Sequence, residues 1–232
     1  MAIGEVVLVK DGQPRATIVL GHRPASSAQL AAFELQHYLA RISGARLPIV
    51  RESETETKLV SGTVVLVGHS RRAKRLGVTQ KELAPQEYVV RTHPDGLLLC
   101  GHDGPGSDTL SYDSYSSIYQ AVSQPIGTCY AVHSFLENQL GVKWYLPNAK
   151  LGEVVPGARD IVVGKLAIRR HPDLPVRAVY PLFVNTERLV FTEWDKPQAF
   201  QSSWVNARTS LLYWVRNRFW GGLVHNANHS FS

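Results

Sequence analysis

Two segments of this chain carry a single apolar stripe at helical spacing, and each stripe ends on a glycine. That pairing limits the fold more than any other feature. In the first segment Ala28, Ala31, Ala32, Leu35, Leu39 and Ile42 fall on one face and Gly44 follows. In the second, Cys129, Val132, Leu136 and Leu140 share a face and Gly141 follows. Glycine supplies the left-handed backbone that closes a helix. Ser26 and Gln29 have the S-x-x-Q spacing of a capping box, which places the start of the first helix. Helices of this kind must bury their stripes, and the available partner is a sheet. Thr63–Val67 is apolar almost throughout, as expected of a strand in the middle of one.

The remaining punctuation supplies the other elements. Val6 to Val9, a turn with Asp11-Gly12 at its centre, and Ala16 to Leu20 read as a hairpin. Tyr88 to Arg91 and Leu97 to Cys100 read as a second hairpin around His93-Pro94-Asp95-Gly96. Leu47 to Val50, Val142 to Leu146 and Ile161 to Val163 read as further strands. Arg71 to Leu76 reads as a short helix, Glu52 to Lys58 as a loop, and Gly101 to Gln124 as a long irregular stretch. Hairpins interrupt the strand–helix alternation. The sequence therefore predicts an α+β fold with a mixed, mainly antiparallel sheet and helices on one face, rather than a doubly wound parallel sheet. No internal repeat stands out.

Composition changes near residue 170. Residues 166–232 hold 11 of the 21 aromatic side chains and four of the five tryptophans. His171-Pro172-Asp173-Leu174-Pro175 is a stiff connector, because each proline also restricts the residue before it. After it, Val176 to Tyr180 reads as a strand, Ser203 to Phe219 as a long helix, and Gly221 to Val224 as the start of another strand. The chain is thus expected to divide into 1–170 and 171–232.

Several function classes are excluded or weakened at this stage. With 44% hydrophobic and 19% charged residues the 232-residue chain is globular, long enough to hold a core without disulfides or metal. Its two cysteines, Cys100 and Cys129, form no C-x-x-C pair and read as buried small hydrophobes. No apolar run approaches the ~20 residues of a membrane span, and no basic segment followed by a long apolar run opens the chain. A soluble protein with no membrane partner is expected. The net charge of +6 is spread out, apart from Arg71, Arg72, Lys74 and Arg75. No aromatic residues interleave with that cluster, so no nucleic-acid partner is expected.

His225 and His229 stand four apart, but H-E-x-x-H would need a glutamate where Asn226 stands, and no third ligand is in view. No metal and no cofactor are expected. Gly101, Gly104 and Gly106 are in the wrong order for G-x-G-x-x-G and read as a turn. Asp173, Glu187, Glu193 and Asp195, the acids after the connector, read as solvated. Trp144 beside Tyr145 reads as core or as a platform for a sugar ring.

Three stretches carry a resemblance. Glu34 to Ile49 (ELQHYLARISGARLPI), Gly127 to Glu137 (GTCYAVHSFLE), and Gly141 to Pro147 (GVKWYLP) followed by Gly152 to Pro156 (GEVVP) resemble, in order, the N-terminal accessory domain that precedes the barrel in family 20 β-hexosaminidases and family 67 α-glucuronidases. The resemblance covers about residues 1–180. It implies that residues 1–170 are an accessory α+β domain and that 171–232 are the first β/α elements of an incomplete (β/α)₈ catalytic barrel. It also implies a non-catalytic portion of a carbohydrate-active glycoside hydrolase, with carbohydrate as the partner of the parent enzyme. No catalytic residue is assigned, since the acid and nucleophile of such enzymes lie on later strands. Arg177, Tyr180, His225 and His229 are implied to bind substrate at strand exits. The alternative is a carbohydrate-binding or scaffolding module without hydrolase activity.

Overall fold

A computed structural model of the chain describes residues 5–55, 62–105, 109–148, 150–173 and 199–219. Its centre is a six-stranded mixed sheet. In chain order the strands are β1 (Val6–Lys10), β2 (Gln13–Pro14), β3 (Ala16–Leu20), β4 (Ile49–Arg51), β5 (Thr63–Val67), β6 (Tyr88–His93), β7 (Gly96–Gly101), β8 (Lys143–Trp144), β9 (Glu153–Val154), β10 (Ile161–Val163) and β11 (Ala167–Arg170). The helices are α1 (Ser26–Ser43), α2 (Glu52–Thr55), α3 (Arg71–Arg75), α4 (Tyr115–Val122), α5 (Gly127–Leu140) and α6 (Ala199–Arg216).

The main sheet has the order β11-β6-β7-β5-β3-β4, with β10-β1-β2 and β8-β9 as small separate sheets. The β7, β5, β3 and β4 strands run parallel, whereas β6 is antiparallel to both of its neighbours, β7 and β11. The expected antiparallel character therefore holds for the β11–β6–β7 side and the small sheets but not for the other half. The reason lies in the connections. The β3 strand reaches β4 only after α1, and such a crossover makes strands parallel.

The first hairpin is also shorter than expected. Asp11 and Gly12 both take left-handed φ, 54° and 70°, as a tight Asp-Gly turn requires. The return strand, however, is only Gln13–Pro14, and Ala16–Leu20 crosses into the main sheet beside β5. The side of β1 not held by β2 pairs with β10. The second hairpin is as expected, with Thr92 opposite Leu97. Thr63–Val67 lies inside the sheet between β7 and β3.

The two striped helices pack side by side on one face. Leu35 and Leu39 are fully buried there, against Ile18, Val65, Val67, Val90, Leu97 and Leu99. Both helices end on left-handed glycines, Gly44 at φ 78° and Gly141 at φ 72°. The opposite face is not bare. Ala73, Leu76, Val78 and Leu83, from α3 and the segment after it, cover Val19, Val64, Leu66, Leu98 and Cys100. Helices on one face alone is thus corrected: alternate residues of nearly continuous apolar strands need cover on both sides.

Three local readings also change. The capping box is not formed, and Ala25 is the N-cap without a side-chain bond. Gln29 is drawn elsewhere: its Nε2 donates to the Pro24 carbonyl (3.2 Å) and its Oε1 accepts from the Leu110 N–H (3.1 Å). Glu52–Thr55 is a short helix whose first carboxylate accepts from the backbone N–H groups of Arg71 and Arg72, both at 2.9 Å. The stretch read as irregular contains α4, capped by Ser114.

In the C-terminal part the expected helix is present as α6. Leu211, Leu212 and Val215 join the core shared by α1 and α5. The expected strands at Val176 to Tyr180 and Gly221 to Val224 lie outside the described residues. Both cysteines are buried and free. Trp144 is core, with its indole N–H donating to the Tyr38 hydroxyl at 2.7 Å, whereas Tyr145 is 64% exposed.

Candidate functional site

Because β3, β5 and β7 are parallel, their C-terminal ends meet at one edge of the sheet. The same dipeptide stands at or just beyond the end of each of these strands: Gly21-His22, Gly68-His69 and Gly101-His102. The register sets Leu20 opposite Val67 and Val67 opposite Leu99, so the three exits stand almost level. Glycine is required by close approach. A Cβ on Gly21 would run into the His69 carbonyl, and one on Gly101 into the Gly127 backbone at the start of α5.

Beyond these exits opens a cleft of about 660 Å³, a volume suited to a small molecule. Its polar lining is Arg23, His69, Gln80, Lys81, His102 and Asp103. Asp103 is engaged from within. Its carboxylate accepts from the Thr128 N–H (3.0 Å) and from the Thr128 hydroxyl, satisfying the first turn of α5. Burial pushes its pKa up, and the Thr128 bonds pull only part of the way back. Gln80 braces the Asp103 backbone by donating to its carbonyl and accepting from its N–H. His69 Nε2 lies 2.9 Å from the Gly101 carbonyl oxygen and its Nδ1 3.5 Å from Cys100 Sγ. His102 Nδ1 lies 2.8 Å from the Leu83 carbonyl oxygen. A ring nitrogen facing a carbonyl carries the hydrogen. In its neutral form His102 therefore presents Nε2 as an acceptor, and no hydrogen bond to it forms among the described residues.

A second polar cluster lies behind α1 and is closed. Glu34 and Arg216 are a buried pair joined by two hydrogen bonds, Nε to Oε2 at 2.7 Å and Nη2 to Oε1 at 3.0 Å. The Tyr112 hydroxyl also donates to Glu34, and His133 Nε2 lies 3.3 Å from Glu34 Oε2. Arg216 Nη1 continues to Glu153 Oε1 (2.8 Å), which also accepts from the Tyr38 hydroxyl (3.0 Å), while Arg41 donates to Glu153 Oε2. Burial by itself would raise the Glu34 pKa. The Arg216 guanidinium, helped by His133, outweighs it and holds the carboxyl well below its ordinary range. Burial pushes His133 down despite the pull of Glu34, and pushes the Tyr38 and Tyr112 hydroxyls up. Chemically this cluster is a clamp. It ties α6 to α1, α5 and β9.

Arg177, Tyr180, His225 and His229, the residues implied to bind substrate, all lie outside the described residues. What the reading of the sequence missed is the repeated strand–Gly–His pattern. It was legible as ATIVLGH, TVVLVGH and LLLCGH. Among the described residues no three His, Cys, Asp or Glu side chains gather into a metal-binding group. No helix among them is long and apolar enough to cross a membrane.

Comparison with known proteins gives this chain a likeness to a solved structure. No protein-family model matches the chain, and no curated protein does. Among solved structures, a family GH115 4-O-methyl-α-glucuronidase with specificity for decorated arabinogalactans is similar over 92% of this chain, at 15% identity and a TM-score of 0.54. The match spans 25% of that enzyme's chain. The likeness is one of fold.

Proposed function

We propose that this chain is a non-catalytic accessory portion of a carbohydrate-active glycoside hydrolase, with residues 1–170 as the accessory domain and 171–232 opening a (β/α)₈ barrel. The observation that carries the reading is the fold shared over 92% of the chain with a quarter of a much longer glycoside hydrolase. Geometry adds support. Glycoside hydrolysis needs two carboxyl groups flanking the bond. The buried carboxylates among the described residues are otherwise occupied: Glu34 by Arg216, Glu153 by Arg216 and Arg41, Asp103 by Thr128, Glu52 by the Arg71 and Arg72 N–H groups, and Glu87 by Arg169. On this reading the Glu34–Arg216 clamp holds the accessory sheet against α6, as a joint between accessory domain and barrel requires. Arg177, Tyr180, His225 and His229 contribute to substrate binding at strand exits, where barrels place their reactive groups.

The test is a panel of aryl glycosides, including glucuronides and N-acetylhexosaminides, incubated with the purified 232-residue chain. No turnover above buffer is expected. Turnover abolished by changing an acid within the chain, such as Glu187→Gln, would place the catalytic machinery here and overturn the reading.

A further inference from the structure

The parallel half of the sheet has a property independent of any glycoside hydrolase. The chain leaves β3 through α1 toward β4 at one edge, and leaves β5 through α3 toward β6 and β7 on the other side. Helix α1 packs on one face of the sheet and α3 on the opposite one. Between β3 and β5 the direction of winding therefore reverses. In open sheets with parallel strands, a crevice forms outside the carboxyl ends at such a reversal, because the two outgoing connections diverge there. The cleft lined by Arg23, after β3, and His69, after β5, stands at that point.

The chemistry of the lining then selects the ligand. Two cations, Arg23 and Lys81, face the cleft, and neither forms an ion pair or hydrogen bond within the described structure. The one carboxylate in the lining, Asp103, has its oxygens engaged by Thr128. With two cations against one carboxylate, the lining of the cleft carries a net positive charge. Helix α1 begins at its wall: Ala25 lines the cleft, offers no side-chain cap, and is followed by no acid in the first turn. The positive end of the α1 dipole adds to the field of the two cations. His102, pinned through Nδ1 to the Leu83 carbonyl, supplies one acceptor in an otherwise donor-rich site. Two cations and one acceptor match an oxyanion that also carries an O–H.

We propose that the cleft at the exits of β3, β5 and β7 binds a phosphate group, free or carried as a phosphomonoester on a small hydroxylated molecule. Arg23 and Lys81 neutralise the anion, with Arg23 able to present two parallel N–H donors. His102 Nε2 accepts from the P–OH of hydrogen phosphate or from a hydroxyl of the carrier.

The experiment is calorimetric titration of the full chain with inorganic phosphate, glycerol phosphate and sulfate, near neutral pH and at low, matched ionic strength. Saturable binding of phosphate or glycerol phosphate is expected. Arg23→Gln and Lys81→Gln should each weaken it about tenfold, the scale of one charge-assisted hydrogen bond. Arg75→Gln, a cation of α3 that lines a separate pocket, should leave it unchanged. Sulfate, which has no O–H near neutral pH, should bind more weakly than inorganic phosphate. Tighter binding of glycerol phosphate assigns the site to a phosphomonoester, and tighter binding of inorganic phosphate assigns it to the free anion. No saturable binding of either, or affinity insensitive to both Arg23→Gln and Lys81→Gln, overturns the proposal. Equal binding of sulfate and phosphate overturns the part given to His102. Arg23 and Lys81 are both exposed, and circular dichroism of each variant confirms that lost binding is not lost folding.

Discussion

The clamp behind α1 and the cleft before it use the same residue types to opposite ends. In the clamp, Glu34, Glu153, Arg41 and Arg216 are joined in one chain of ion pairs, and Tyr38 and Tyr112 occupy further carboxylate lone pairs. In the cleft, Arg23, Lys81 and His102 Nε2 project from an otherwise braced wall, without partners among the described residues. Buried charges persist only when paired, and a charge left open at the end of a well-packed sheet has water or a ligand as its partner. The contrast separates structural from ligand-facing polarity within one chain. The common element is α1, whose N-terminus opens on the cleft and whose middle carries Glu34.

The clamp is the place where a single change should be felt most. Arg216→Ala strands the buried Glu34 carboxylate and should cost about 3–5 kcal/mol by urea unfolding, as expected when one partner of a buried pair is removed. The double change Glu34→Leu with Arg216→Met should recover most of that loss, because an apolar pair of similar volume removes the stranded charge. A double variant no more stable than Arg216→Ala would show that the pair is not the source of the loss.

Next in size is the close approach at the exit of β3. Gly21→Ala drives a methyl against the His69 carbonyl and should cost ~1–3 kcal/mol, the range for overpacking. The same substitution at Gly44, where a Cβ would meet nothing within 4 Å, strains only the backbone and should cost less. Equal losses at the two positions would remove the close-approach argument.

Acid should weaken the clamp by smaller steps. The His133 pKa is depressed in the fold, so its contribution is complete above the free-imidazole value of about 6.5 and is lost as pH falls below it. Glu34 is also depressed: its contribution is complete above about 4.3 and is lost at lower pH, as its folded value is reached. Both act in the same direction, each with a slope of at most ~1.4 kcal/mol per pH unit. The midpoint of thermal unfolding should therefore fall from neutral pH downward, and His133→Phe should flatten the upper part of that fall. An unchanged profile in His133→Phe would assign the upper step to another group.

What the sequence disclosed was whatever rests on local pattern. The α1 stripe with Gly44, the α5 stripe with Gly141, the interior strand Thr63–Val67 and the hairpin turning before Gly96 are set by periodicity and turn chemistry, and they stand as read. What it concealed depended on distant partners. Ser26 and Gln29 have capping-box spacing, yet the Leu110 N–H and the Pro24 carbonyl hold the Gln29 amide. The α4 helix lies in a Ser- and Tyr-rich stretch with little apolar signal, and Ile118, Ala121 and Val122 become a stripe only against the core. The direction of β3 could not be read from its own residues, since a strand pairs equally well either way. The candidate site was hidden for a different reason. Each Gly-His is ordinary by itself, and only the parallel register sets the three side by side. The clamp joins residues 182 positions apart, and nothing local marks either Glu34 or Arg216 as the other's partner.

The most direct test of this division is thermal unfolding of three proteins in phosphate and in chloride at matched ionic strength: wild type, Arg23→Gln, and the Glu34→Leu/Arg216→Met double variant. Phosphate should raise the midpoint of the wild type, as any ligand of the folded state does. Arg23→Gln should keep the wild-type midpoint in chloride and lose the phosphate shift. The double variant should move in chloride and keep the shift. A phosphate shift that survives Arg23→Gln but disappears in the double variant would place the open charges in the clamp and contradict the account.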